Sequence, residues 1–567
     1  MAVDPRAALI MRRLSRLQTQ RSTWESHWQE LADYMRPRKA DIVLKTQTPG
    51  KKRTEQIFDG TAIRAAEMLS ASLHGMLTNM STKWFSLRYR DSELQSDDEA
   101  REWLLSAEEA MYTAFNRSNF QEQVQELYDD LVVFGTATMM VEPDSETNFR
   151  FSTRHIAEIY LAEDQFGRVN TVYRKFRMFA RAAIDQFGAK NVSSRILQTE
   201  KRDPHEQVDI VHVVMPRSDR DPIKMNSVNM PFASLYIDPE EQQVLSESGY
   251  TELPFLCPRW LKSSTELGYG RSCGMTALAD TKVLNRMSEV NLRAAQKMTD
   301  PPLMVPDDGF MLPIRVVPGG LNFYRSGTRD RLEPLNIGSN TPVALNMEEQ
   351  RRQAVRSAFY VDHLQLAPVP NETATAVIQR TETSMRMLGP SLGRLQSELL
   401  QPLLTRCWSI MSKQEAFPTP PEFLQGNGSS GDIEIEYVSP LARAQKKGDA
   451  QSMVQLLEFM GPLMSIDPAI ADYLDMDGMA QHLIRALAIP ATVVNGEQEV
   501  LNKRDERAAQ QAQQAEMAEA MQVAQAAGKA APAIKAVDEA TMQEMAGAGG
   551  EDLPPEVMAA VAAEEAA

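Results

Sequence analysis

The sequence predicts a predominantly helical α+β chain made of several domains. Three observations carry that reading. The chain has 567 residues, and a single hydrophobic core stops growing at roughly 250–300, so more than one packing unit is expected. Long stretches repeat apolar residues at helical spacing. Between residues 150 and 260, β-branched and aromatic runs mix with turn residues, as in an α+β region.

Ile10, Leu14, Leu17, Trp24, Trp28, Leu31 and Met35 follow alternating steps of four and three, and only Arg21 breaks the apolar row. This predicts one face of a long amphipathic helix, ended near Arg36 by Pro37. Such a face either docks on its own domain or forms a seam between chains. After a basic loop (45–54) a helix is expected over about 61–78, then a strand in KWFSLRY (83–89). Helices follow over about 98–117 and from Phe120 towards Phe134. Another spans about 275–298 and stops at Asp300-Pro301-Pro302. Residues 301–342, rich in proline and glycine, read as a small β-rich excursion. Helices resume over about 342–363 and 373–413, separated by LQLAPVP, and Gly389-Pro390 predicts a kink. GNGSSG (426–431) reads as a flexible joint and IEIEY (433–437) as a half-buried strand, with helices again to about Pro490. Beyond Val500 the chain is rich in Ala, Gln, Glu and Met, lacks aromatics and carries an excess of acid. It favours helix but offers little apolar surface, so disorder or helix formed against neighbouring copies is expected.

Formal net charge is −17. Tight sequence-independent DNA binding needs a basic surface, so a strong grip on DNA is not expected, although an acidic wall lets a polyanion slide. Cys257, Cys273 and Cys407 lie far apart without a CxxC pair, which argues against a disulfide framework or thiolate metal site and fits a reducing compartment. The charged N-terminus lacks the apolar core of a secretory signal. No run of about 18 apolar residues predicts a membrane span.

A packaging motor needs GxxxxGK[ST], and neither Gly50-Lys51 nor Gly528-Lys529 sits in that pattern. LGYGRSCG (267–274) has the wrong glycine spacing for a dinucleotide loop and reads as a loop leading into a helix. The seven histidines form no HExxH, and GxSxG is missing. DMDG (475–478) lacks full calcium-loop spacing and reads as a helix cap. No cofactor or metal is implied. The pattern points away from an enzyme.

Several blocks, in order, resemble the head-to-tail connecting (portal) proteins of short-tailed, podovirus-type bacteriophages. They include RSTWESHWQELADYMRPRKADI (21–42), IFDGTAIRAAEMLSASLHGMLTNMSTKWFSLRY (57–89) and SNFQEQVQELYDDLVVFGTATMMVEPD (118–144). EIYLAEDQFGRVNTVYRKFRMFARAAIDQFG (158–188), ESGYTELPFLCPRW (247–260), YGRSCGMTALADTKVLN (269–285), AFYVDHLQLAPVPNETATAVIQRTE (358–382), LGPSLGRLQSELLQPLL (388–404) and YVSPLARAQKKGDAQSM (437–453) continue the series. They cover most of residues 10–500; Ala376 stands where the family often has an acid, and the tail matches nothing specific.

The resemblance implies a multidomain portal fold assembling as a cyclic ring, normally of twelve subunits, at one capsid vertex. It divides the chain into a wing (1–270), a first stem helix (271–300), a clip (301–342), a second stem helix (343–363), a tunnel loop (364–373), a kinked wing helix (374–425), a crown (426–500) and a C-terminal tail (501–567). Its partners would be double-stranded DNA in the channel, terminase, the major capsid protein and tail or adaptor proteins. The place would be the virion, after assembly in the host cytoplasm. His363, Gln365 and Asn371 would face DNA from the tunnel loop, touching it by shape and weak polar contacts. Lys282, Arg286, Arg293 and Lys297 share one face of the first stem helix and form either a solvated face or one salt-bridged to acids of a neighbouring subunit, or a basic band around the ring that touches phosphates weakly or meets the capsid vertex. Trp24, Trp28, Leu284 and Met287 are candidates for subunit packing. Two other readings are a DNA-packaging or DNA-cleaving enzyme, against which the missing phosphate loop argues, and an internal virion or scaffolding protein, suggested by the Ala/Gln-rich tail.

Overall fold

A computed structural model describes residues 4–43, 52–80, 82–90, 97–221, 226–266, 268–301, 341–364, 387–421, 433–437, 452–460 and 502–515, with a few shorter pieces besides. The N-terminal apolar row folds into helix α1 (Pro5–Met35). The Asp4 side chain accepts from the Arg6 N–H, Pro5 occupies the first turn where its missing N–H costs nothing, and the helix ends at Arg36 before Pro37. Helices α2 (Thr61–Leu77), α3 (Asp98–Arg117) and α4 (Phe120–Phe134) follow as predicted. Between α2 and α3 runs strand β1 (Phe85–Tyr89).

The middle region is strand-rich. β2 (Thr138–Asp144) pairs with β3 (Asn148–Arg154) and with β9 (Phe255–Leu256). A separate antiparallel sheet runs in chain order through β4 (Ile159–Glu163), β5 (Val169–Phe179), β6 (Gln207–Pro216), β7 (Phe232–Asp238) and β8 (Gln243–Tyr250). Its two faces are covered by different helices, because side chains on a strand alternate. Val211 and Val213 pack with Ala7, Ile10 and Leu14 of α1. Val208 and Ile210 pack on the other side with Ala180, Ala183, Phe187 and Ile196 of α5 (Ala180–Phe187) and α6 (Ser194–Arg202).

The largest core joins the C-terminal half of α1 to α2, α3, α4 and the small sheet, with parts of α7 (Cys273–Thr299), α8 (Thr341–Ala358) and α10 (Gln401–Lys413). Between the last two lies the short α9 (Val361–Leu364). Strand β12 (Ile433–Tyr437), expected within the crown span, pairs antiparallel with β1, placing Ile435 opposite Leu87. Residues 387–395 are helical straight through Gly389-Pro390. The departure from α geometry comes later, in a π turn at Gln396–Leu400. Pro402 follows directly and has no N–H for the carbonyl of Glu398. Inside the 301–342 excursion β10 (Leu303–Met304) and β11 (Glu333–Pro334) form an antiparallel pair, and its last two residues already belong to α8.

Arg21, the break in the apolar row, is buried. Its guanidinium donates to the carbonyls of Ile156, Ala157 and Ile159, pairs with Glu25, and lies 3.7 Å from the centre of the Tyr160 ring. The charge is thus accommodated by three carbonyl dipoles, a carboxylate and a π face, as a buried cation requires. The three cysteines are free and buried, and burial pushes the Cys257 and Cys273 thiols up to about 12.

The chain divides into Met1–Leu487 and Ala488–Ala567. In the second unit residues 502–515 are helical and exposed along their whole length. Truncation after Val500 is expected to leave the thermal unfolding of the remaining chain unchanged, because the described residues of the removed segment are exposed and its sequence offers few large apolar side chains. A melt monitored by circular dichroism checks this.

Candidate functional site

Helices α7 and α8 run side by side in opposite directions. Arg351 reaches Asp280 at 2.8 Å, and Ser288 donates to the buried carboxylate of Glu348. The base of this hairpin is built into the core through Cys273, Ala277, Leu278, Leu284, Val355 and Phe359. Beyond Asn285 the pattern changes: Val290, Leu292 and Met298 on α7, and Val343, Leu345 and Met347 on α8, are each about half exposed. Among the described residues no third element covers them.

Polar groups fasten the base. Asn285 accepts from the Phe58 N–H at 2.7 Å and donates to the Gln56 carbonyl at 2.8 Å, while Arg352 bonds Asp59 at 3.0 Å. A cleft of about 670 Å³ opens here, lined among others by Phe58, Arg64, Met68, Arg352, Arg356 and Val361. Its arginines are largely answered within the chain, since Glu349 faces both Arg352 and Arg356. The cleft is a clasp between α2 and α8 rather than an open anion site.

The basic row of α7 is answered as well. Lys282 pairs with Glu30 of α1 at 3.1 Å, and Arg286 and Arg293 both pair with Glu289. Lys297 is exposed. The face is a salt-bridged surface over most of its length, with little free positive charge.

Residues 7–494 match the family model described as "Bacteriophage head to tail connecting protein". The chain belongs to this family. Among curated connectors it is 32% identical over 526 residues to the probable portal protein of Bordetella phage BPP-1, covering 90% of this chain and 93% of that one. It is 31% identical over 511 residues to the portal protein of Salmonella phage epsilon15, covering 88% and 91%.

In this connector Trp28 packs inside the chain itself. Trp28 is buried, donates its indole N–H to the Phe134 carbonyl at 3.2 Å and meets Tyr269 edge-on at 5.0 Å, with the half-buried Trp24 alongside. Leu284 is likewise part of the subunit core, whereas Met287 is half-buried. The packing expected of Trp28 and Leu284 is thus satisfied inside the chain. Of the tunnel-loop residues, His363 is half-buried at the start of α9, its backbone N–H bonded to the Tyr360 carbonyl at 3.1 Å. Tyr360 itself turns the chain between α8 and α9 with a left-handed φ of 57°. Gln365, Asn371 and Ala376 lie outside the described residues. The polar clasp at Asn285 and Arg352 went unread in the sequence, where single polar residues within helical patterns carry no sign of their distant partners.

Proposed function

We propose that this connector is a portal subunit: copies close into a ring, normally of twelve, whose channel at one capsid vertex passes double-stranded DNA during packaging and ejection. The match over nearly the full length of two portal proteins carries this reading. In it α7 and α8 are the stem pair, residues 301–342 the clip and 364–373 the tunnel loop, with β1–β9 and α1–α6 in the wing. Strand β12 is counted with the wing because it completes a ladder with β1. The exposed apolar residues on the distal halves of α7 and α8 support the ring, since a repeated head-to-tail contact covers both at once. The ring would bind the major capsid protein around it, terminase during filling and tail or adaptor proteins afterwards. It would assemble in the host cytoplasm and remain in the virion. The role is structural, a channel and a docking platform.

Purified full-length protein should show rings with a central hole in negative-stain images and a matching mass by light scattering. Monomer or dimer alone, at micromolar concentration and across salt conditions, would sink the proposal.

A further inference from the structure

The outer face of α1 carries positive charge that no other described residue answers. From Pro5 to Trp24 the helix holds Arg6, Arg12, Arg13, Arg16 and Arg21 and no acid. Three of these are engaged: Arg6 with Glu247 at 2.9 Å, Arg13 with Tyr173, and Arg21 in its buried nest. Arg12 and Arg16 are exposed and make no ion pair among the described residues. They stand one turn apart, about 6 Å along the axis. Their face lies opposite Ala7, Ile10 and Leu14, which are buried on the sheet. The same ridge continues through the exposed Thr19 and Thr23. Such free charge contrasts with α7, where one glutamate answers two arginines.

We infer that this ridge contacts the phosphate backbone of duplex DNA, a second place besides the channel where the connector meets its cargo. The inference rests on the portal reading only in taking DNA as the available polyanion. A guanidinium binds two phosphate oxygens at once, and the Thr23 hydroxyl donates to the same groups, whereas that of Thr19 is engaged with the Ser15 carbonyl at 3.1 Å. The Arg12–Thr23 ridge carries no exposed aromatic anchor of the kind that centres a protein–protein contact. Recognition is by charge alone, so it is weak, indifferent to sequence and sensitive to salt.

Full-length protein is titrated against a fluorescent mixed-sequence duplex, by anisotropy, from about 25 to 200 mM salt, the range in which phosphate contacts are read. Three forms are compared: wild type, Arg12→Ser/Arg16→Ser, and Arg286→Ser/Arg293→Ser. Losing two phosphate contacts lowers the slope of log affinity against log salt by roughly 1.8, at about 0.9 per contact. That loss is expected for the α1 pair, with several-fold weaker binding at low salt, whereas the α7 pair keeps the wild-type slope. The inference is overturned by a wild-type slope in the α1 variant, by equal losses in both variants, or by no binding from wild type at the lowest salt. Displacement by polyglutamate as effective, charge for charge, as by unlabelled duplex also overturns it, in favour of an acidic protein surface. If rings still form in any of these cases, the portal reading stands while the α1 contact falls.

Discussion

Replacing Arg259 by methionine is expected to destabilise the subunit by about 3–5 kcal/mol, the usual consequence of removing one partner from a buried ion pair. Arg259 is 2% exposed. Its guanidinium binds Glu398 twice, at 3.0 and 2.7 Å, pairs with Glu163, and donates to the Gly167 carbonyl at 3.0 Å. Its backbone N–H also donates to Glu398, at 3.0 Å. Methionine keeps only the aliphatic stem of the side chain and, among the described cations, leaves Glu163 with Lys262 alone and Glu398 with Arg394 alone. The contact joins three distant pieces: the end of β4, the segment after β9 and the π turn before α10. Thermal and denaturant melts of the variant should show the loss. Glu398→Gln keeps an acceptor for the guanidinium, so it should cost less than Arg259→Met. Equal midpoints for Arg259→Met and wild type would show that the network contributes no net stability.

Periodicity located the helices because burial of one face, not propensity, decides where such helices form. The Pro37 end of α1 carries its own chemistry, so that boundary was legible, whereas the Asp4 cap went unread and the helix begins at Pro5, ahead of the apolar row. Pairings between distant segments were not. IEIEY read as a strand from its alternation, but nothing in five residues names β1 as its neighbour. Arg21 appeared as a flaw in an apolar row because a residue pattern records polarity and not partners; its carbonyl acceptors lie in the turn before β4. A kink was expected at Gly389-Pro390, whose preceding turn lies outside the described residues, while the π turn before Pro402 went unread. Both prolines are present in the sequence, and which carbonyl loses its donor without compensation depends on packing around it. The spacing of the basic row on α7 puts it on one face, but its charge could not be judged without seeing Glu289 and Glu30 beside it.

Leu284→Asp and Val290→Asp should separate the stability of the subunit from its assembly. Both substitutions place a carboxylate on α7, less than two turns apart. Leu284 is 1% exposed within the main core, so aspartate there buries a charge with no cation built to receive it, at about 3–5 kcal/mol. Loss of rings in that variant would therefore report a damaged subunit and say little about contacts between subunits. Val290 is 51% exposed in the isolated chain, and aspartate there should leave the melting curve close to wild type. In a ring the same position would be covered by a neighbour, and because every copy carries the substitution, the penalty recurs at each interface around the circle. The expected result is an intact but unassembled Val290→Asp subunit, beside a Leu284→Asp subunit that melts early. Circular dichroism measures the first property and sedimentation velocity the second. Rings formed by Val290→Asp at wild-type yield would move the subunit contact away from the distal half of α7, because a buried, unpaired carboxylate repeated around a ring is too costly to pass unnoticed.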